Sequence, residues 1–202
     1  MESVFQHKYK ISSNRLRGWN YASDGHYFIT IVTANREELF GKIEKCVMIP
    51  NDFGRIVCDE FFKSFEIREE LYLGEFVLMP NHIHAIITLE QTNCMDTSLS
   101  LYIETHGRAS LPQHRHASLP QLIRKPKSIS SFVAGFKSAT IKQIDNWIDV
   151  NKIKMAKFNK RNPLWQANYY DHIIRSEKEY MNISGYIVDN PLIWERDRNN
   201  RL

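Results

Sequence analysis

The run from Val77 to Leu89, Val-Leu-Met-Pro-Asn-His-Ile-His-Ala-Ile-Ile-Thr-Leu, restricts the possible folds of this chain more than any other stretch. After the turn-like pair Pro80-Asn81 the residues are β-branched and apolar, which predicts a buried strand. Side chains alternate along a strand, so Ile83, Ala85, Ile87 and Leu89 form one wholly apolar face that must lie on a core. His82, His84, Ile86 and Thr88 share the other face. Two imidazoles about 7 Å apart on a rigid strand can converge on one metal ion or one phosphate. The competing reading is a chance pair whose rings bond carbonyls, and residues elsewhere must decide between the two.

Leu73 to Met79 reads as a strand that turns at Pro80-Asn81 into the histidine strand, so the two make a hairpin-like pair. His26 to Thr33 reads as a strong first strand, and Thr30 would sit beside the histidines if these strands pair. Ile43 to Ile49 suits a short strand. Pro50-Asn51-Asp52 offers a helix start, followed by Ile56, Phe61, Phe62 and Phe65 at helical spacing. Ser128 to Val150 carries an apolar stripe of Ile129, Phe132, Val133, Phe136, Ile141, Ile144, Trp147 and Ile148, the pattern of an amphipathic helix.

Between these parts, about 91–127 reads as a flexible insertion into a single domain spanning 1–202. Ala109-Ser110-Leu111-Pro112-Gln113 recurs as Ala117-Ser118-Leu119-Pro120-Gln121, and a Pro-containing duplication suits a surface loop. His106, His114 and His116 within it are expected to be solvated, not metal-bound.

The net charge is only +4, but it is unevenly placed. From Gln121 to Arg175 there are eleven Lys and Arg against three Asp, a balance that suits a polyanion or, equally, a solvated helical face. Three Cys without metal-ligand spacing read as free thiols. The first residues lack the apolar core of a signal peptide, and no apolar run reaches membrane-spanning length. A cytoplasmic protein is the expectation.

Leu164 to Arg175 reads as another strand. Ser176 and Glu179 then have capping-box spacing, which predicts a helix from Glu177 that Pro191 ends. Tyr180, Ile183 and Ile187 make its apolar stripe. Tyr186 flanks the stripe, and Asn190 follows one turn later on the same side. A phenol and an amide oxygen can thus be offered to one point in space.

Three segments together resemble the REP-associated tyrosine transposases, a bacterial branch of the HUH (His-hydrophobic-His) single-tyrosine transposases. They are Met79-Pro80-Asn81-His82-Ile83-His84, then Trp165-Gln166 through Tyr169-Tyr170-Asp171-His172-Ile173-Ile174-Arg175, then Tyr186-Ile187-Val188-Asp189-Asn190-Pro191. The likeness covers most of the chain outside the insertion. It implies an α+β fold, a ferredoxin-like sandwich with a central antiparallel sheet and packed helices. It also implies His82, His84 and Asn190 as ligands of Mg²⁺ or Mn²⁺, and Tyr186 as the nucleophile. The implied reaction is metal-dependent nicking and rejoining of single-stranded DNA through a 5′-phosphotyrosine bond, at hairpin-forming palindromic repeats and beside the bacterial nucleoid.

DNA contacts would fall to Arg124, Lys125, Lys127, Lys137 and Arg175. Trp165, Tyr169 and Tyr170 are candidates for stacking on bases, although core packing is the more frequent fate of such rings. Two other readings compete: a module that binds DNA hairpins without cutting, and an unrelated metal hydrolase using His82 and His84. A hydrolase wants a carboxylate base near its water, and the sequence sets none beside the histidines. Monomer and homodimer both remain open.

Overall fold

The computed structural model describes residues 18–91 and 127–200. The duplicated segment, its three histidines, Arg124 and Lys125 lie outside the described residues.

The chain order is β1 (Gly25–Val32), β2 (Gly41–Glu44), β3 (Val47–Pro50), α1 (Asp52–Glu66), β4 (Leu71–Met79), β5 (His82–Leu89), α2 (Ile129–Val150), β6 (Tyr170–Ile174) and α3 (Glu177–Asp189). A 3₁₀ segment from Asn190 to Arg196 follows α3 directly. Strands pair in the order β4-β5-β1-β6, every pair antiparallel. Without the β2–β3 hairpin and α3, the succession is β-α-β-β-α-β, the ferredoxin-like arrangement.

The period-two pattern decides which side each element covers. Tyr27, Ile29 and Ile31 of β1 join Ile83, Ala85, Ile87 and Leu89 of β5 in one core with α1 and α2. Phe28 and Ile86 point the other way and meet Ile187 of α3. The histidines therefore lie on the α3 side of the sheet.

Phe61 anchors the first core. It stacks on Phe76 at 4.6 Å between ring centres and meets Phe132 and Phe136 edge-on. Each such pair adds about 0.5–1.5 kcal/mol beyond the area it buries. Asn51 caps α1 by accepting from Gly54 N at 2.9 Å. At Gly54 an added Cβ would collide with the Phe40 carbonyl oxygen, so this helix start tolerates only glycine.

Several elements differ from those the sequence predicts. The single strand expected over Ile43 to Ile49 is a hairpin, with Lys45 and Cys46 both at positive φ (49° and 63°). This is the conformation that two-residue hairpin turns require. The strand expected over Leu164 to Arg175 is regular only from Tyr170 to Ile174; Trp165 contributes one isolated bridge to Thr33. Pro191 ends the α-helix, but the chain goes on helically into the 3₁₀ segment. The capping box of α3 is half formed. Ser176 Oγ accepts from Glu179 N at 3.2 Å, while the Glu179 carboxylate accepts from Arg175 N and pairs with His172 Nε2. No helix among the described residues is long and apolar enough to cross a membrane.

Candidate active site

β5 starts immediately after the Pro80-Asn81 turn, so its first residue, His82, and the next residue on that face, His84, sit at the sheet's end. The register places Thr30 opposite His84 and Val32 opposite His82. Both histidines are 0% exposed. The face they share is covered: the Tyr186 ring lies 5.3 Å from that of His84, and the Trp194 ring 6.0 Å from that of His82.

Hydrogen bonds fix how the two rings face each other. Asn81 Nδ2 donates to the carbonyls of Arg36 and Asn199 at 2.9 and 2.8 Å. Its Oδ1 is therefore the atom that accepts from His82 Nδ1 at 2.8 Å, and His82 Nε2 carries a bare lone pair. His84 Nδ1 lies 2.8 Å from Thr30 Oγ1. The two Nε2 atoms are 3.0 Å apart. Burial first, then the charges of Arg198 and Arg36, pushes the His82 pKa down to about 3. Burial and His82 hold that of His84 well below its ordinary value. Both rings are thus neutral near pH 7, the form that binds metals.

This pair fits a divalent ion. Two ligand atoms each about 2.1 Å from an octahedral ion and at right angles are about 3.0 Å apart. In the His84 tautomer whose Nδ1–H donates to Thr30 Oγ1, His84 Nε2 also presents a lone pair, and both Nε2 atoms can then serve one ion. Asn190 Oδ1 is buried with no hydrogen-bond partner among the described residues, as a ligand oxygen awaiting a cation would be.

Asp197 is the residue that sequence reading missed. Its carboxylate, His82 and His84 offer ligand atoms all within 4.8 Å of one another. Asp197 Oδ2 accepts from Asn190 Nδ2 at 3.4 Å and from the Tyr186 hydroxyl at 3.3 Å. The same hydroxyl lies 3.3 Å from His84 Nε2. A carboxylate therefore does stand beside the histidines, against the expectation drawn from their neighbours in sequence. Burial, then Asp197, raises the Tyr186 pKa, while the Asn190 amide and Arg198 favour the phenolate.

The chain is 38% identical over 189 residues to an uncharacterized protein of Haemophilus influenzae, covering 92% of this chain and 91% of that one. The two belong to one family. No family model matches the chain. A REP-associated tyrosine transposase, solved bound to a REP hairpin, superposes with a TM-score of 0.50 at 17% identity, over 88% of this chain and 73% of that one. The fold is that of the REP-associated tyrosine transposases. A candidate transposase of Deinococcus radiodurans aligns at a TM-score of 0.42 and 16% identity, over 87% of this chain and 95% of that one, and adds nothing to this assignment.

On this transposase fold His82, His84, Tyr186 and Asn190 come together, and the proposed DNA contacts scatter. Trp165 is 4% exposed and packs on Phe40 and Phe136, so its ring serves the core. Tyr169 turns to the α1–α2 side, with its hydroxyl 3.3 Å from Ser130 Oγ. Lys137 Nζ donates to the carbonyls of Gln166 and Asn168, tying that loop to α2. Tyr170 is half-buried on the Tyr186 side, edge-on to Phe28. Arg175 and Lys127 are exposed.

Proposed function

We propose that this chain is a metal-dependent enzyme that nicks and rejoins single-stranded DNA through a covalent bond to Tyr186, in the manner of a transposase. The observation that carries this reading is the position of one hydroxyl: Tyr186 Oη lies 3.3 Å from both His84 Nε2 and Asp197 Oδ2. A half-buried phenol between a metal-type histidine pair and a carboxylate has what a nucleophile needs.

An ion held by His82 and His84, with Asn190 Oδ1 or Asp197 as oxygen donor, would withdraw charge from a non-bridging oxygen of the phosphodiester. The chain's own residues do the rest. Tyr186 attacks phosphorus, and its proton passes to the Asp197 carboxylate. The tyrosyl O–P bond forms and the P–O3′ bond breaks, leaving a 3′-oxygen that takes a proton from water. The 5′ end stays on Tyr186. Attack by a 3′-hydroxyl reverses these steps and reseals the strand, so no nucleotide is consumed. Mg²⁺ or Mn²⁺ suits a mixed nitrogen and oxygen donor set that leaves positions open.

The substrate proposed is single-stranded DNA carrying a hairpin, as the structural neighbour binds a REP hairpin. Tyr170, Arg175 and Lys127 are the accessible candidates for contacting it. Incubating the protein with Mn²⁺ and labelled single strands from the flanks of its own gene tests the reading. Transfer of label to protein on a denaturing gel supports strand transfer. Cleavage without transfer would favour a hydrolase in which Asp197 activates water, and retention without cleavage would favour a binding module.

A further inference from the structure

Three residues around the His82 and Asp197 side of the site have donor capacity that the reaction above does not use. Arg36 follows β1 in a left-handed conformation, φ 59°, and its Nη1 donates to the Arg198 carbonyl at 2.9 Å. This leaves four of the five guanidinium hydrogens for other partners. Arg198 is exposed; its guanidinium carbon sits 5.3 Å above the Tyr170 ring. Both arginines are close enough to His82 to depress its basicity, and Arg198 also acts on His84 and Tyr186.

Asn199 is the third. It is 4% exposed, and its Nδ2 is buried with no hydrogen-bond partner among the described residues. Its backbone is fully engaged: Asn199 N donates to Asp197 Oδ1 at 2.6 Å, and its carbonyl accepts from Asn81 Nδ2. A buried amide donor left unpaired forfeits its hydration without a bond in return. Such a group persists at a functional site when its partner arrives with the ligand. Two guanidiniums and an idle amide on this side of the site suit an oxyanion with several oxygens, and planar guanidinium matches phosphate.

We propose that Arg36, Arg198 and Asn199 form a receptor for phosphodiester oxygens next to the His82 and Asp197 side of the site, holding the DNA backbone independently of any metal ion. This rests on the strand-transfer reading for its substrate, but it concerns binding and not the chemical step. The segment 197–199 is then a working part of the site: Asp197 faces the nucleophile, and the next two residues face the phosphate. The face of the Tyr170 ring attracts the Arg198 guanidinium to this place.

The test is fluorescence anisotropy with a labelled dT20 strand in EDTA, at several NaCl concentrations. Arg198→Ala should weaken binding at least fivefold and reduce the slope of log K against log[NaCl] by about 0.7, the share of one single-strand phosphate contact. Arg198→Lys should restore the slope but not the full affinity, because a point charge replaces a planar fork. Asn199→Asp, of the same size but with an acceptor in place of the donor, should weaken binding about tenfold when read well below its melting temperature, which a buried carboxylate beside Asp197 lowers. Arg55→Ala, on the surface of α1, should bind as the parent does. Parent-like affinity and slope in both Arg198→Ala and Asn199→Asp, or no dT20 binding by the parent, would overturn the receptor. If both variants lose binding while no strand ever transfers to Tyr186, the receptor stands and strand transfer falls. The reverse pattern removes the receptor alone.

Discussion

At the scale of single residues, Thr30 carries the clearest consequence. It holds His84 Nδ1 at 2.8 Å from a buried position, and partners of this kind typically change metal affinity 10–100-fold. Thr30→Val keeps the shape and loses the hydroxyl. Titration calorimetry with Mn²⁺ should show an affinity at least tenfold lower with the fold retained; parent affinity would mean that the ring needs no such brace. Strand periodicity set the histidines and Thr30 on one face, helix periodicity set Tyr186 and Asn190 on another, and the resemblance to the transposases joined the two sets. Asn81 stood beside the motif, and its role appears only once the Arg36 and Asn199 carbonyls are seen to fix its amide. Asp197 was not legible. It lies beyond the 3₁₀ segment, where no regular period relates it to Tyr186, and only the folded path of the chain returns it to the histidines.

At the scale of elements, the α1–α2 face bears the stability and the α3 face bears the site. Phe61→Ala removes a 0% exposed ring from the centre of the aromatic cluster and should cost about 3–5 kcal/mol in urea unfolding; a loss under 1 kcal/mol would show that the cluster repacks. The start of α3 carries a pH dependence. The bond from Arg175 N, then that with His172, holds the Glu179 carboxyl below its ordinary value. A group depressed on folding stabilises above its unfolded pKa, about 4.3 for Glu, and that contribution fades as pH falls through the folded value. The melting-temperature advantage of the parent over Glu179→Gln should therefore be present at pH 6 and shrink towards pH 3; an advantage constant across that range would contradict the assignment. The element boundaries that sequence missed share a cause. Lys45-Cys46 adopts a left-handed turn without the Gly, Asn or Asp that usually announces one. Trp165 belongs to an irregular approach to β6, which looks strand-like because its apolar residues, Leu164 and Trp165, fill the core.

At the scale of the whole molecule, a ferredoxin-like sheet with α1 and α2 on one face leaves the other free for a helix that brings a tyrosine to a histidine pair. The duplicated segment is proposed as an insertion outside this arrangement. Deleting residues 105–121 should leave the melting temperature within about 2 °C and the metal-dependent reaction intact, since exposed Pro-containing loops contribute little burial; a large drop would place the segment against the core. Everything proposed for the site converges on one oxygen atom, the Tyr186 hydroxyl. The direct measurement is peptide mapping by mass spectrometry of the protein after reaction with Mn²⁺ and the gene-flanking strand. The nucleotide mass should sit on the peptide containing Tyr186, and Tyr186→Phe should form no adduct while binding the strand as before. An adduct on Tyr169 or Tyr170, or one that persists in Tyr186→Phe, would contradict the assignment of the nucleophile and of the site built around it.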